Sequence, residues 1–404
     1  MTIRNVTKEY WPLMLTGAFG IAVFCFWLLY RPHLMLAREE MQLFLWNTDY
    51  LSERLLIPGG LAQYLGEFVV QFFLNPLSGA LCYALILTAV QLLGWYIIDA
   101  RRRYCILSFI VPCLLWWMAC NPDIPMTPVI AVVLTMALMA LLKRRTAVTQ
   151  AVLLLAVPVG YWLLGPAVVL LALVPFVCWH AKPLKASLPM SVGIALLTAL
   201  CVLVSSRLSP YPLRQLARGV DYYWESQMHS TLEEMRYDML MRTQDWEEIS
   251  ALYDARPSQS LAVRNAVLVA KLNRHEISQV DVLQGLVLSK EALRSIASAF
   301  LMSELSMQIG MVNIAQRTAF EAMEAIPNYN KSARALRRLV ETNIVTGQYE
   351  VALKYIVLLE QTLFYRDWAR RMKRMADNPD EIKNHKIYQQ MKELYDNGTD
   401  TFFH

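Results

Sequence analysis

The chain has 404 residues, of which 56% are apolar and only 18% charged, against about 25% charged in an ordinary soluble domain. The deficit is local. Residues 1–205 carry 13 Lys+Arg and 8 Asp+Glu, whereas residues 206–404 carry 25 of each. A membrane-embedded first half followed by a water-soluble second half satisfies these numbers; a wholly soluble enzyme, a coiled coil and a disordered chain do not.

A spanning helix needs about 20 mostly apolar residues. Seven stretches are predicted to span: residues 10–30, 78–98, 104–119, 125–142, 148–164, 167–179 and 188–205. The fifth and sixth are cut from one uncharged run at Gly165-Pro166. Both are short, so a re-entrant pair is the alternative to two crossings. The first stretch reads as retained rather than as a cleaved signal peptide, being too long and lacking a small-x-small site. Ten basic residues (Arg4, Lys8, Arg101, Arg102, Arg103, Lys143, Arg144, Arg145, Lys182 and Lys185) fall on one side if the N-terminus is cytoplasmic. Seven crossings then put residues 206–404 outside the cytoplasm. The seven cysteines all precede residue 206, in apolar runs without CxxC or Cys/His spacing, where a free thiol acts as a small hydrophobe.

The first external loop, residues 32–77, is long. It opens on Arg38-Glu39-Glu40, turns at Pro58-Gly59-Gly60, and then sets Gln63, Glu67 and Gln71 four apart on one helical face. Such a helix is expected to lie along the membrane surface. Asp123 stands on the same side, in the second external loop. Glu39, Glu40 and Asp123 have two readings. They are solvated loop charges and an Asx-Pro turn, or they are acids that share a divalent cation or supply a general base.

A single span, an acidic opener to a long external loop and an acidic second external loop resemble the membrane module of polyprenyl-phosphate-sugar-dependent glycosyltransferases, the GT-C class. The likeness is one of architecture over about residues 1–205. Transmembrane O-mannosyltransferases with C-terminal tetratricopeptide repeats are similar in the second half as well. The resemblance implies that Glu39 or Glu40 is the catalytic acid and that Asp123 is a helper or metal-binding acid. It further implies that His33, Arg38 and Arg54 meet the phosphate of a polyprenyl-linked sugar. The opener departs from the class, having Arg-Glu-Glu where an Asp is usual. The loop and tail also resemble an uncharacterised Bacteroidota family of polytopic proteins, which implies a bacterial inner membrane.

Residues 206–404 read as successive helices without strand alternation. Ile309-Gly310-Met311-Val312-Asn313-Ile314-Ala315 aligns with Thr346-Gly347-Gln348-Tyr349-Glu350-Val351-Ala352 at a period of 37, near that of tetratricopeptide repeats. Gln244-Asp245-Trp246 is a weaker third copy, and Pro327-Asn328-Tyr329 reads as a junction between repeats. The expected fold is therefore all-α: a polytopic bundle of about seven spans, then a tetratricopeptide-like α-solenoid over 206–404, with room for the repeat array to continue. Solenoids bind proteins or peptides. The run from Arg366 to Arg374 is either a solvated repeat face with Trp368 in a groove, or a binding patch in which Trp368, Arg370, Arg371 and Arg374 meet a partner. Nucleic acid is not expected, because the half is neutral overall. Asn397-Gly398-Thr399 matches a glycosylation acceptor without significance in a bacterium. Two functions remain open: a lipid-linked-sugar glycosyltransferase whose repeats recruit the acceptor, and a non-catalytic membrane-anchored scaffold of an envelope complex. A transporter ranks below both, since the spans carry almost no mid-depth charge.

Overall fold

A computed structural model of the chain describes residues 3–98, 102–143, 147–177, 184–225, 229–327 and 331–397. Among these there are helices and turns and no strand. Arg101, Arg144, Arg145, Lys182, Trp179, His180, Asn328, Tyr329, Gly398 and Thr399 lie outside the described residues. The chain forms two compact units, one of residues 1–35 and 47–224 and one of residues 36–46 and 225–404. The boundary expected at 205/206 thus stands at 224/225. Residues 36–46, expected in the first half's external loop, belong to the second unit.

The helices of the first unit begin with α1 (Ile3–Cys25), which runs on as a π turn (Phe26–Tyr30), and α2 (Pro32–Glu40), which leads into residues 36–46. Then come α3 (Thr48–Leu55), α4 (Gly60–Val70), α5 (Pro76–Ile98), α6 (Ile110–Ala119) and α7 (Thr127–Leu141). The last are α8 (Ala147–Leu164), α9 (Val174–Val177), α10 (Leu184–Leu208) and α11 (Leu213–Arg218). Four stretches are long and apolar enough to cross a membrane: Tyr10–Tyr30, Pro76–Ile98, Thr149–Val177 and Ser187–Leu208. The expected third and fourth spans are shorter helices, Cys105–Ala119 and Thr127–Leu141. At about 1.5 Å per residue these fall short of a ~30 Å hydrocarbon core. Leu85, Trp117, Leu155 and Leu196 are exposed on these helices, a surface suited to lipid rather than water. Inside, the Thr16 hydroxyl donates to Gln91 Oε1 at 3.0 Å and Gln91 Nε2 donates to Ser108 Oγ at 2.9 Å. Gln91 thus serves as packing polarity, with its amide satisfied.

The apolar run 149–177 turns back on itself. Gly165 has φ +78°, and a Cβ placed on Gly160 would lie 2.8 Å from Val168 Cγ2. Eight residues along a continuous helix separate two positions by about 12 Å, so the two legs run side by side. The Gly165 turn meets two other segments, and one of these is bound to a third. Gly59 N–H donates to the Trp162 carbonyl at 2.8 Å, and Trp162 Nε1 donates to the Leu55 carbonyl at 2.9 Å. The Tyr222 hydroxyl donates to the Leu164 carbonyl. Trp224 N–H donates to the Asp123 carbonyl at 2.8 Å, and the Thr127 hydroxyl donates to Asp221 Oδ2 at 2.7 Å.

The second unit contains four successive helix pairs among the described residues. They are α12 (Leu232–Thr243) with α13 (Trp246–Ala255), α14 (Leu261–Asn273) with α15 (Gln279–Gly285), α16 (Ile296–Gln308) with α17 (Val312–Glu324), and α18 (Ala333–Val345) with α19 (Tyr349–Leu359). Next come α20 (Arg366–Asp377) and α21 (Lys386–Asp396). Helices α16 and α18 begin, and end, 37 residues apart, as the sequence period requires. Each pair turns in the same way. Gln244, His275, Gly310 and Gly347 all have positive φ, between 56° and 82°. The N–H of each donates to the carbonyl three residues back, and the next N–H donates to the carbonyl five back. These bonds satisfy carbonyls that the end of a helix leaves orphaned. Met241, Ile249, Val263, Leu301, Leu305 and Met311 fill the core between the pairs.

Candidate functional site

The acidic opener of the first loop is enclosed within the second unit. Leu36, Met41, Leu43 and Phe44 are buried there, and Trp46 N–H donates to the Gln361 carbonyl at 2.8 Å. Between these anchors the carboxylates meet guanidiniums and a phenol. Glu40 is ion-paired with Arg242 and, at 2.9 Å, with Arg334. Glu39 is fully buried and accepts the Tyr365 hydroxyl at 3.0 Å. Its second oxygen meets no donor among the described residues. Burial therefore prevails: it pushes the Glu39 carboxyl up to about 7, against the opposing charge of Arg242 and reinforced by Glu40. Arg38 is also buried in this unit.

The network continues across the pairs. Arg334 grips Asp238 through two bonds, at 2.5 and 2.8 Å, and reaches Glu304 at 3.3 Å. Arg338 joins Glu304 at 2.7 Å to Glu341 at 2.8 Å. Burial pushes Glu304 up, but Arg338, Arg334 and Arg242 outweigh it and hold its carboxyl down at about 2. Glu304 and Glu341 are 37 residues apart, at equivalent positions of two repeats.

In front of this network lies a groove of about 550 Å³ between α12, α16 and α18, the first helices of three of the pairs, and α20 and α21. Its walls carry Arg242, Arg334, Arg337, Arg338 and Arg371 against Glu304 and Glu341, with Tyr365, Trp368 and Tyr388 as aromatic surface. Trp368 is half-buried with the Arg337 guanidinium over its ring at 5.2 Å. Arg371 is exposed and faces the groove. Arg370 is exposed and stands 3.7 Å from Asp367, and Arg374 is exposed; neither lines the groove. Two of the four residues picked for a partner therefore share a site.

The other sequence candidates lie in the first unit. Asp123 sits in the turn after α6; Asn121 Oδ1 accepts its N–H at 2.9 Å, and the Tyr223 hydroxyl lies 3.5 Å from its carboxylate. His33 is buried. Arg54 is committed to Glu67 at 2.9 Å and to the Tyr50 hydroxyl at 2.7 Å. The stripe expected to face water on α4 is turned inward: Gln63, Glu67 and Gln71 are all buried. Glu67 accepts from Arg54, Tyr50 and Gln63, and that hydrogen bonding is what reverses the helix. Burial, and then the charge of Asp221, push its carboxyl up against Arg54. Among the described residues no three His, Cys, Asp or Glu side chains are grouped to hold a metal.

The residues that sequence reading missed are Arg242, Arg334, Arg337, Arg338 and Tyr365. One signal existed: Arg334, Arg337, Arg338 and Glu341 fall at spacings of three and four, which place them on one face of α18. The model of a family of unknown function, DUF6057, matches residues 9–404, and the chain belongs to that family. No curated protein and no solved structure matches it.

Proposed function

We propose that this member of DUF6057 is a membrane-anchored binding protein of a bacterial inner membrane. Its second unit is a tetratricopeptide-like solenoid, held outside the cytoplasm, that seats a segment of a partner protein. The observation that carries this reading is the groove, a concave site of ligand-sized volume built on the first helices of three helix pairs and closed by α20 and α21. The topology is supported by the loop charges and by the meeting of segments 55–60, 120–127, 162–167 and 221–224, all expected on the external side. Seven passes require the Gly165 hairpin to count as two and the shorter helices Cys105–Ala119 and Thr127–Leu141 to cross as well. A hairpin returns the chain to the side it left whether its legs cross or only dip, so the side reached by residues 225–404 does not depend on its depth.

Sugar transfer would ask for an accessible carboxylate in the first loop. The two that the resemblance picks, Glu39 and Glu40, are enclosed and partnered by Tyr365, Arg242 and Arg334. That is why binding rather than transfer is proposed. The test is a random-peptide display library, panned on spheroplasts that carry the full chain and on inside-out vesicles. Ile387 is exposed at the groove, so Ile387→Trp fills the mouth without touching the core. Peptides are expected to enrich on spheroplasts alone and to lose affinity at least tenfold in Ile387→Trp. The absence of enriched peptides, or enrichment indifferent to Ile387→Trp, would overturn the reading.

A further inference from the structure

We propose that the segment seated in the groove is acidic, carrying neighbouring Asp or Glu side chains; this rests on the binding reading above. The unit already holds one such segment, and the way it does so defines the chemistry. Tyr365 donates to Glu39, and two guanidiniums, Arg242 and Arg334, close on Glu40. These three residues also line the groove, so the surface that binds Glu39-Glu40 on one side faces an incoming chain on the other. Five arginines stand in the walls against two glutamates. Arg242 is matched by Glu40, Arg334 by Glu40, Asp238 and Glu304, and Arg338 by Glu304 and Glu341, which leaves two of the five with capacity. Arg337 spends one nitrogen on Glu341 at 3.1 Å while its side chain remains 46% exposed. Arg371, among the described residues, has no ion pair or hydrogen bond. His385 adds a buried Nδ1 with no partner among the described residues, on a ring stacked against Tyr388 at 4.3 Å. An acidic side chain entering here meets Arg371 at the rim, then the Arg337–Trp368 stack, where a planar guanidinium presents paired donors to a carboxylate.

The experiment uses the full chain in zwitterionic nanodiscs and fluorescent peptides with a central Glu-Glu, Lys-Lys or Leu-Leu pair, read by anisotropy. Glu-Glu is expected to bind at least tenfold tighter than Lys-Lys or Leu-Leu and to weaken as salt rises. Arg371→Glu should weaken the Glu-Glu peptide at least tenfold, and Arg371→Lys should restore most of it. Arg371 is exposed and unpaired, so neither change disturbs the fold. Equal binding of the three peptides, or Glu-Glu binding indifferent to Arg371→Glu, would overturn the proposal. So would an Arg371-dependent response to anionic vesicles or inorganic phosphate without any to peptide. If the display library enriches basic or apolar peptides in the groove, the acidic proposal falls and the binding reading stands. If it enriches none, both fall.

Discussion

Arg334 touches Asp238, Glu40 and Glu304 at once and lies over the Phe300 ring at 4.9 Å. Breaking such a buried hub costs about 3–5 kcal/mol because it leaves a charge uncompensated, whereas an exposed pair such as Arg317–Glu321 contributes about 0–1 kcal/mol. Its acidic partners set a pH dependence whose sign follows from the direction of each shift. Burial raises Glu39 from an ordinary 4.5 to about 7. Between those values the folded chain keeps a proton that the unfolded chain has lost. Stability therefore falls as pH climbs from 4.5 to 7 and is level above, by about 3 kcal/mol at most. Glu304, held down at about 2, acts oppositely, and its contribution is lost as pH falls below 4.5. Asp238, raised by burial, adds to the Glu39 slope. Glu39→Gln is expected to make the slope between pH 4.5 and 7 shallower and to leave the acid limb unchanged, as read by thermal unfolding of the full chain in detergent. An unaltered slope would assign the titration to another group.

The turns inside the helix pairs carry the same demand with different residues. Gly310 and Gly347 adopt positive φ without steric cost, whereas Gln244 and His275 hold it at about 1–2 kcal/mol each. A Cβ on Gly347 meets nothing within 4 Å, but one on Gly310 would lie 2.8 Å from Leu394 Cβ. Gly347→Ala is therefore expected to destabilise by about 1 kcal/mol through backbone strain alone, and Gly310→Ala by more because of the clash. His275→Gly, at an exposed turn, is expected to be neutral or stabilising by up to about 1 kcal/mol. Denaturant midpoints of the three variants check the order, and equal losses at 310 and 347 would contradict it. Two repeats were legible because glycine marks this conformation. The copy at Gln244 was only faintly legible and the one at His275 was hidden, because nothing about Gln or His as residue types demands this conformation.

At the scale of the whole chain, the consequential feature is that residues 36–46 belong to the second unit while the segments on either side of them belong to the first. The chain passes between the units at 35/36, 46/47 and 224/225. A fragment cut at the hydropathy boundary, residues 206–404, lacks Phe44, Glu39 and Glu40, leaving Arg242 and Arg334 short of a carboxylate and a buried pocket empty. Such a fragment is expected to be loosely folded. A synthetic peptide of residues 36–46 should raise its melting temperature by several degrees, and the same peptide with Glu40→Gln should raise it much less. A fragment whose melting is unchanged by either peptide would show that the inserted segment contributes little. The same insertion explains why the first-loop acids looked available in sequence. Hydropathy places Arg38-Glu39-Glu40 just outside a membrane, and only the second unit supplies their partners.

Local chemistry was enough to establish an apolar half and a charged half, helix throughout the described residues, the break at Gly165, and a 37-residue period in the tail. Each of these is written in neighbouring residues: in the length of an apolar run, in a glycine that alone accepts positive φ freely, or in a repeated spacing. Tertiary structure decided the remainder. It turned the polar stripe of α4 inward to meet Arg54 and assembled the arginine-lined groove. The decisive contacts join Arg242 to Glu40 across 202 residues and Tyr365 to Glu39 across 326. A carboxylate's environment is set by charges within a few ångströms in space, and no pattern along the chain records which distant guanidinium will arrive there.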